Sequence, residues 1–66
     1  METIELVIPA MKSAHCQMTV TDVVNSIGGH VKGIAPAKAE IELTNNLTRN
    51  EVVEAIEMAG YVVVND

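Results

Sequence analysis

Thr48-Arg49-Asn50-Glu51-Val52-Val53-Glu54-Ala55-Ile56-Glu57-Met58-Ala59-Gly60-Tyr61 carries both ends of a helix and the start of the strand after it. Thr48 and Glu51, three residues apart, have the form of a capping box, in which each side chain satisfies a backbone N–H that the first helical turn leaves unpaired. Val52, Ala55, Ile56 and Ala59 then fall on one side at helical spacing, helped by Val53, and form an apolar stripe. Gly60 suits the left-handed position that ends a helix at about Ala59. Tyr61 and the three valines behind it read as a final strand over 61–64.

Working outward to the N-terminus, the same two periodicities recur. Residues 3–8 predict a strand, since Ile4, Leu6 and Ile8 alternate with Glu5 and Val7, and Pro9 ends it by lacking an N–H for the ladder. Residues 10–15 read as a loop. Residues 16–27 predict a helix, with Val20, Val23, Val24 and Ile27 at i, i+3, i+4 and i+7 and Asp22, Asn25 and Ser26 off that stripe. Gly28-Gly29 stops it, the first glycine taking the left-handed cap. Residues 30–34 form a short second strand, Ala35-Pro36-Ala37 a turn, and Lys38–Leu43 a third strand whose Ala39, Ile41 and Leu43 alternate with Glu40 and Glu42. Residues 44–46 are the loop before the second helix. Strand, helix, strand, strand, helix, strand is the split βαβ order. The expectation is an α+β, ferredoxin-like βαββαβ domain, with a four-stranded antiparallel sheet and two helices on one face. Val20, Val24, Ile27, Val52 and Ile56 should be buried.

Sixty-six residues fill one domain, 1–66. A chain this short buries roughly 60% of its unfolded surface, and with a single cysteine it has no internal disulfide to help. Packing therefore rests on aliphatic side chains: 48% of residues are hydrophobic, yet Phe and Trp are absent and Tyr occurs once. Nine acids against four bases give a net charge of −5. That balance, without a basic patch or stacking aromatics, argues against nucleic acid. It suits either a partner with a basic docking surface or an ordinary solvated exterior. No apolar run approaches the ~18 residues of a membrane span, and Met-Glu-Thr-Ile-Glu lacks the positive region of a signal peptide. An unpaired cysteine suits a reducing compartment, so the expected location is cytoplasmic.

Chemistry concentrates in Met11-Lys12-Ser13-Ala14-His15-Cys16. A thiol at a helix start feels the positive end of the helix dipole, which favours the thiolate, and Lys12 acts in the same direction. A thiolate beside an imidazole is a soft-metal donor set. The ordinary alternative is a small apolar Cys closing a core, with a solvated His next to it. No carboxylate pair, Ser-His-Asp set or phosphate loop accompanies it, so an enzyme is not expected. His30, after the glycine pair, reads as a surface residue at the far end.

Element order, length, Met11 five residues before Cys16, and the ending Glu54-Ala55-Ile56-Glu57-Met58-Ala59-Gly60-Tyr61 resemble the heavy-metal-associated domain family over nearly the whole chain. That family includes small copper chaperones and the N-terminal domains of copper- and zinc-transporting P-type ATPases, and its loop motif is M-x-C-x-x-C. Met11 matches the motif's Met and Cys16 its second Cys, while Ser13 stands at the first. His15 fills the position before the second Cys, where His is common. The resemblance implies a metallochaperone-like protein that takes Cu(I), or another soft metal ion, on Cys16 and His15. It would pass the ion to a metal-transporting P-type ATPase or another metal acceptor. It also implies an inward-facing Met11. The family holds Cu(I) between two thiolates, and a serine hydroxyl is a poor ligand for that ion. Three readings stay open: Cu(I) on Cys16 with a second donor from His15 or from another molecule, as in a metal-bridged homodimer; a metal-free protein-interaction module with a degenerate loop; and a single-thiol redox site. Tyr61 is placed to approach the loop from beneath and donate to the thiolate, and Met58 to lie exposed nearby.

Overall fold

The computed structural model describes residues 2–44 and 46–64. Strand β1 spans Glu2–Val7, helix α1 Ala14–Ser26, β2 His30–Ala35, β3 Lys38–Leu43 and α2 Arg49–Met58. The strands form an antiparallel sheet in the order β1-β3-β2. Ile4 faces Ile41 and Leu6 faces Ala39 across the β1–β3 pair, whereas Glu5 faces Glu40. That register leaves Val7 and Ala35, both opposite Lys38, on one face and puts the apolar alternation of β1 and β3 on the other. Ile4, Leu6, Ala39, Ile41 and Leu43 are buried there with Val20 and Val24 of α1 and Val52 and Ile56 of α2. Both helices thus cover the same face, as the ferredoxin-like α+β expectation requires. The opposite face carries the exposed Thr3, Glu5, Lys38 and Glu40.

The expected fourth strand is reduced. Among the described residues, 61–64 pair with β1 through a single bridge, Val64 with Val7, in which the Val64 N–H donates to the Val7 carbonyl at 2.8 Å. Three valines in a row favour an extended chain, but a ladder needs repeated partners as well as propensity. Ile27 is the second correction. It is 36% exposed, because α1 ends at Ser26 and Ile27 is its C-cap. Once the backbone leaves the helix, the i+7 position no longer continues the stripe. Ala59 likewise caps α2 and is exposed. The loop expected over 44–46 includes Asn45, which lies outside the described residues.

Both helices close with the same hydrogen-bond pattern. After α1, Gly28 donates to Asn25 (3.2 Å) and Gly29 to Val24 (3.0 Å); after α2, Gly60 donates to Glu57 (3.0 Å) and Tyr61 to Ile56 (3.3 Å). These are Schellman motifs, and they need a left-handed residue at the first position past the cap. Gly28 and Gly60 supply it, at φ +94° and +102°. The capping box opening α2 is formed as its sequence implies: Thr48 accepts from the Glu51 N–H, and the Glu51 carboxylate accepts from the Thr48 N–H at 2.9 Å. No helix of the described residues is long and apolar enough to cross a membrane.

Candidate metal centre

The loop after β1 is anchored before it is chemical. Ile8 and Met11 are fully buried. Met11 N–H donates to the Ile8 carbonyl at 2.9 Å, which folds the loop back on the strand end. The turn between β2 and β3 then clamps it. Ile8 N–H donates to the Ala37 carbonyl (2.9 Å), and Ala37 N–H donates to the Met11 carbonyl (2.8 Å). Ala37 holds a left-handed φ of 67°, rare for a residue with a Cβ, and these two bonds keep it there. Met11 therefore serves as an inward anchor, and the hairpin turn fixes the height of the loop against the sheet.

Ser13 is the pivot of the site. It is the N-cap of α1, with φ −88° and ψ 160°, and its hydroxyl accepts from the Cys16 N–H at 3.2 Å. The helix therefore begins two residues earlier than its apolar stripe implied, and Cys16 sits at its third position. Nothing in the first turn is acidic, so the free N–H groups and the dipole act on the thiol unopposed. The thiol is half-buried and free. Its pKa is lowered, first by a hydrogen bond from the Ser13 side chain, then by one from the Tyr61 hydroxyl; partial burial works against both, and the Ser13 backbone adds a smaller push downward. Hydrogen bonds, rather than Lys12, produce the shift, and Lys12 is exposed. The Tyr61 pKa is raised in turn, chiefly because its proton is held on the Cys16 sulfur, with burial and the thiolate charge adding to it.

Tyr61 reaches the thiol because the Schellman turn at Gly60 reverses the chain beneath the loop. Thr19, one turn past Cys16 on the same side of α1, meets the Tyr61 hydroxyl and bonds the His15 carbonyl at 3.1 Å. Thr19 escaped the sequence reading, although its i+3 spacing from Cys16 was the available signal. His15 lies in the first turn of α1 and is exposed, while the thiol beside it turns inward toward Tyr61. The structure brings Ser13, Cys16, Tyr61 and Thr19 together and leaves His15 at the rim. Met58 is 89% exposed at the end of α2, and His30 is exposed at the start of β2. Among the described residues no group of three or more His, Cys, Asp or Glu side chains is arranged to hold a metal ion. What the site offers is one soft, partly accessible thiol beside the Ser13 and Tyr61 hydroxyls, which favour its thiolate form.

Fold and loop together define a class: a small ferredoxin-like α+β domain with a cysteine at the start of its first helix. Within that class the chain is similar to a solved structure described as a CopZ metallochaperone, with a TM-score of 0.80 and 24% identity, over 96% of this chain and 100% of that one. At that identity the likeness is one of fold. No family model matches the chain, and no curated protein matches it.

Proposed function

We propose that this protein binds Cu(I) through Cys16 and surrenders it to a metal acceptor by ligand exchange, acting as a metallochaperone rather than an enzyme. The observation that carries the reading is the Cys16 thiol: half-buried, lowered in pKa and set at a helix start on a CopZ-like fold. A thiolate is the preferred protein donor for a soft monovalent ion. One thiolate makes an incomplete site, and this completes the logic of transfer. An incoming thiolate from an acceptor, such as a metal-transporting P-type ATPase domain, raises the sulfur count as it binds, so the ion moves without passing through a free state. In the absence of an acceptor, the second donor is the rim imidazole of His15 or the Cys16 of a second copy in a metal-bridged homodimer. Tyr61 and Ser13 hold the thiolate charge before the metal arrives and lose only hydrogen bonds when it does. The reducing cytoplasm suits an unpaired thiol of this kind.

A metal-free docking module is the second reading, favoured by Ser13 in the place of a cysteine and by the absence, among the described residues, of any group of three or more His, Cys, Asp or Glu side chains that could hold a metal ion. Titration with Cu(I) against a competing chelator, beside a Cys16→Ser control, separates the two. Stoichiometric binding lost in the control supports the metallochaperone; equal, weak binding by both leaves the docking module.

A further inference from the structure

The β2–β3 turn is built against its own chemistry. Pro36 and Ala37 join Ala35 to Lys38, which face each other at the end of the hairpin. Proline followed by a left-handed residue is the order of a type II turn, whose second central position usually takes Gly or Asn. Ala37 fills it here at φ 67°, and among the described residues it is the one non-glycine with a positive φ. A Cβ disfavours that conformation. Two-residue hairpins also avoid type II turns, because their twist splays the strands. Neither residue preference nor hairpin geometry accounts for this turn.

The loop across from it does. Ala37 N–H donates to the Met11 carbonyl at 2.8 Å, and its carbonyl accepts from Ile8 N–H at 2.9 Å. Both polar groups of one strained residue are committed to the loop, and such strain persists only where the surroundings over-determine it. The loop itself is stiff. Ile8 and Met11 are fully buried, Met11 N–H donates to the Ile8 carbonyl, and Lys12 N–H donates to the Ala10 carbonyl at 3.0 Å. Two residues past Met11 stands Ser13, whose hydroxyl accepts from the Cys16 N–H. An unbroken chain of contacts therefore runs from Ala37 through Met11 and Ser13 to Cys16.

We propose that Ala37 is a strained latch: its two hydrogen bonds hold the loop and the first turn of α1 in the place that half-buries the Cys16 thiol, and its left-handed alanine sets how often that arrangement opens. When the latch parts, Ala37 relaxes to negative φ and the loop loses its ties to the hairpin. The segment between Ile8 and Ser13 then moves away from the sheet, and the thiol gains room for an incoming group. Glycine at this position would hold the loop more firmly. Alanine keeps it closed but easily opened. The latch governs access to the thiol and is independent of which ion, if any, Cys16 takes.

Access is measured on the metal-free protein, with Ala37→Gly, Ala37→Asn and Ala37→Val beside the natural chain. Glycine and asparagine tolerate the left-handed region and valine does not. Asparagine and valine are close in size, so that pair separates backbone strain from bulk. Hydrogen exchange near neutral pH follows the latch through the Ile8 amide and global opening through Ile41, which is buried in the central strand. The rate at which a bulky aromatic disulfide modifies Cys16 is read at pH ~9.5, above the ~8.5 of a free thiol, so that ionisation is not limiting. In the natural chain Ile8 should exchange faster than Ile41, because the latch opens without unfolding the sheet. Ala37→Gly should slow both Ile8 exchange and Cys16 modification about threefold, relief of strain outweighing the glycine's extra freedom in the open state. Ala37→Asn should slow them less, and Ala37→Val should speed them. Ile56→Ala, which loosens the core, should speed Ile41 exchange and leave Ile8 exchange and Cys16 modification unchanged. Three results would overturn the latch: Cys16 modification that follows Ile41 rather than Ile8, modification that Ala37→Gly leaves unchanged or speeds, or Asn and Val acting alike. Should the valine variant fail to fold, the glycine and core variants decide between these outcomes.

Discussion

Restoring a cysteine at position 13 tests the loop more directly than any other change. Ser13 and Cys16 are three residues apart, with the Ser13 hydroxyl 3.2 Å from the Cys16 N–H, so a thiol placed at 13 sits over the same helical turn as the existing one. Two thiolates on one loop should bind one Cu(I) per monomer. The gain follows from effective concentration. At ~10 μM protein a second thiolate from another molecule is present at ~10 μM, whereas one on the same loop acts at about millimolar concentration. The ratio is ~100-fold, or ~2.7 kcal/mol. Ser13→Cys also removes the N-cap, which should lower metal-free stability by ~0.5–2 kcal/mol. Affinity and stability are thus expected to move in opposite directions. Competition with a coloured Cu(I) chelator at ~5 and ~50 μM protein reads the first, and urea unfolding the second. The natural chain should bind more tightly at the higher concentration if two copies share the ion; Ser13→Cys should be indifferent to concentration. Ser13→Ala serves as control, losing the cap without gaining a ligand. If Ser13→Cys takes up Cu(I) no better than the natural protein, the loop does not present positions 13 and 16 to one ion, and the metallochaperone reading loses its structural basis.

Other outcomes follow from the same geometry. The midpoint of Cys16 alkylation with pH should fall below the ~8.5 of a free thiol; donors that stabilise the thiolate lower it, so Ser13→Ala and Tyr61→Phe should each raise it, and a midpoint unchanged in both would discount the two hydroxyls. By linkage, the thiolate's contribution to stability is fully present above the unfolded thiol's pKa and is lost as pH falls through the lower folded value, which urea midpoints of the natural chain and Cys16→Ala across that range would register. Ile56→Ala empties a fully buried position between the helices and the sheet and should cost ~2–5 kcal/mol, a large share of the ~3–10 kcal/mol expected for a domain of this size; a loss under ~0.5 kcal/mol in urea unfolding would contradict its place in the core. Thr48→Ala opens the capping box and should cost ~0.5–2 kcal/mol by the same measurement.

Periodicity made the core legible because burial here follows spacing. Val20 and Val24, Val52 and Ile56, and the alternating positions of β1 and β3 are where the apolar pattern puts them. It failed where a terminus intervenes. Ile27 keeps the i+7 interval but lies past the last helical residue, and periodicity carries no information about where a helix stops. Gly28 did mark the stop, and its left-handed φ could be expected one residue too late to save Ile27. The final strand failed for a different reason: Tyr61-Val62-Val63-Val64 has strand propensity, but pairing depends on how the chain leaves α2. In the site, the placement of Tyr61 against Cys16 could be anticipated because a helix ending in Gly returns the chain to the sheet. The roles of Thr19 and of the Ala37 clamp could not, since both depend on hydrogen bonds between segments that only the fold brings together.

Position 13 is where helix and ligand requirements compete. An N-cap wants a small side chain with an acceptor oxygen, and serine is among the best residues for it; a Cu(I) site wants sulfur, which caps weakly. With Ser13 the chain has a well-capped α1 and a Cys16 whose thiolate form is favoured by the cap itself, since the Ser13 hydroxyl accepts from the Cys16 backbone and is also the leading cause of the lowered thiol pKa. The serine is therefore more than the absence of a ligand. On the metallochaperone reading proposed above, it would prepare the thiolate while leaving its coordination incomplete, and an incomplete site is one that an acceptor bringing its own sulfur can finish. If that is its role, Ser13→Cys should hold Cu(I) more tightly and release it more slowly: transfer to a two-thiolate acceptor peptide, followed by stopped flow, should slow by up to the same ~100-fold by which affinity rises. Transfer from the variant that matches or exceeds the natural rate would show that Ser13 contributes nothing to release and reduce it to a helix cap.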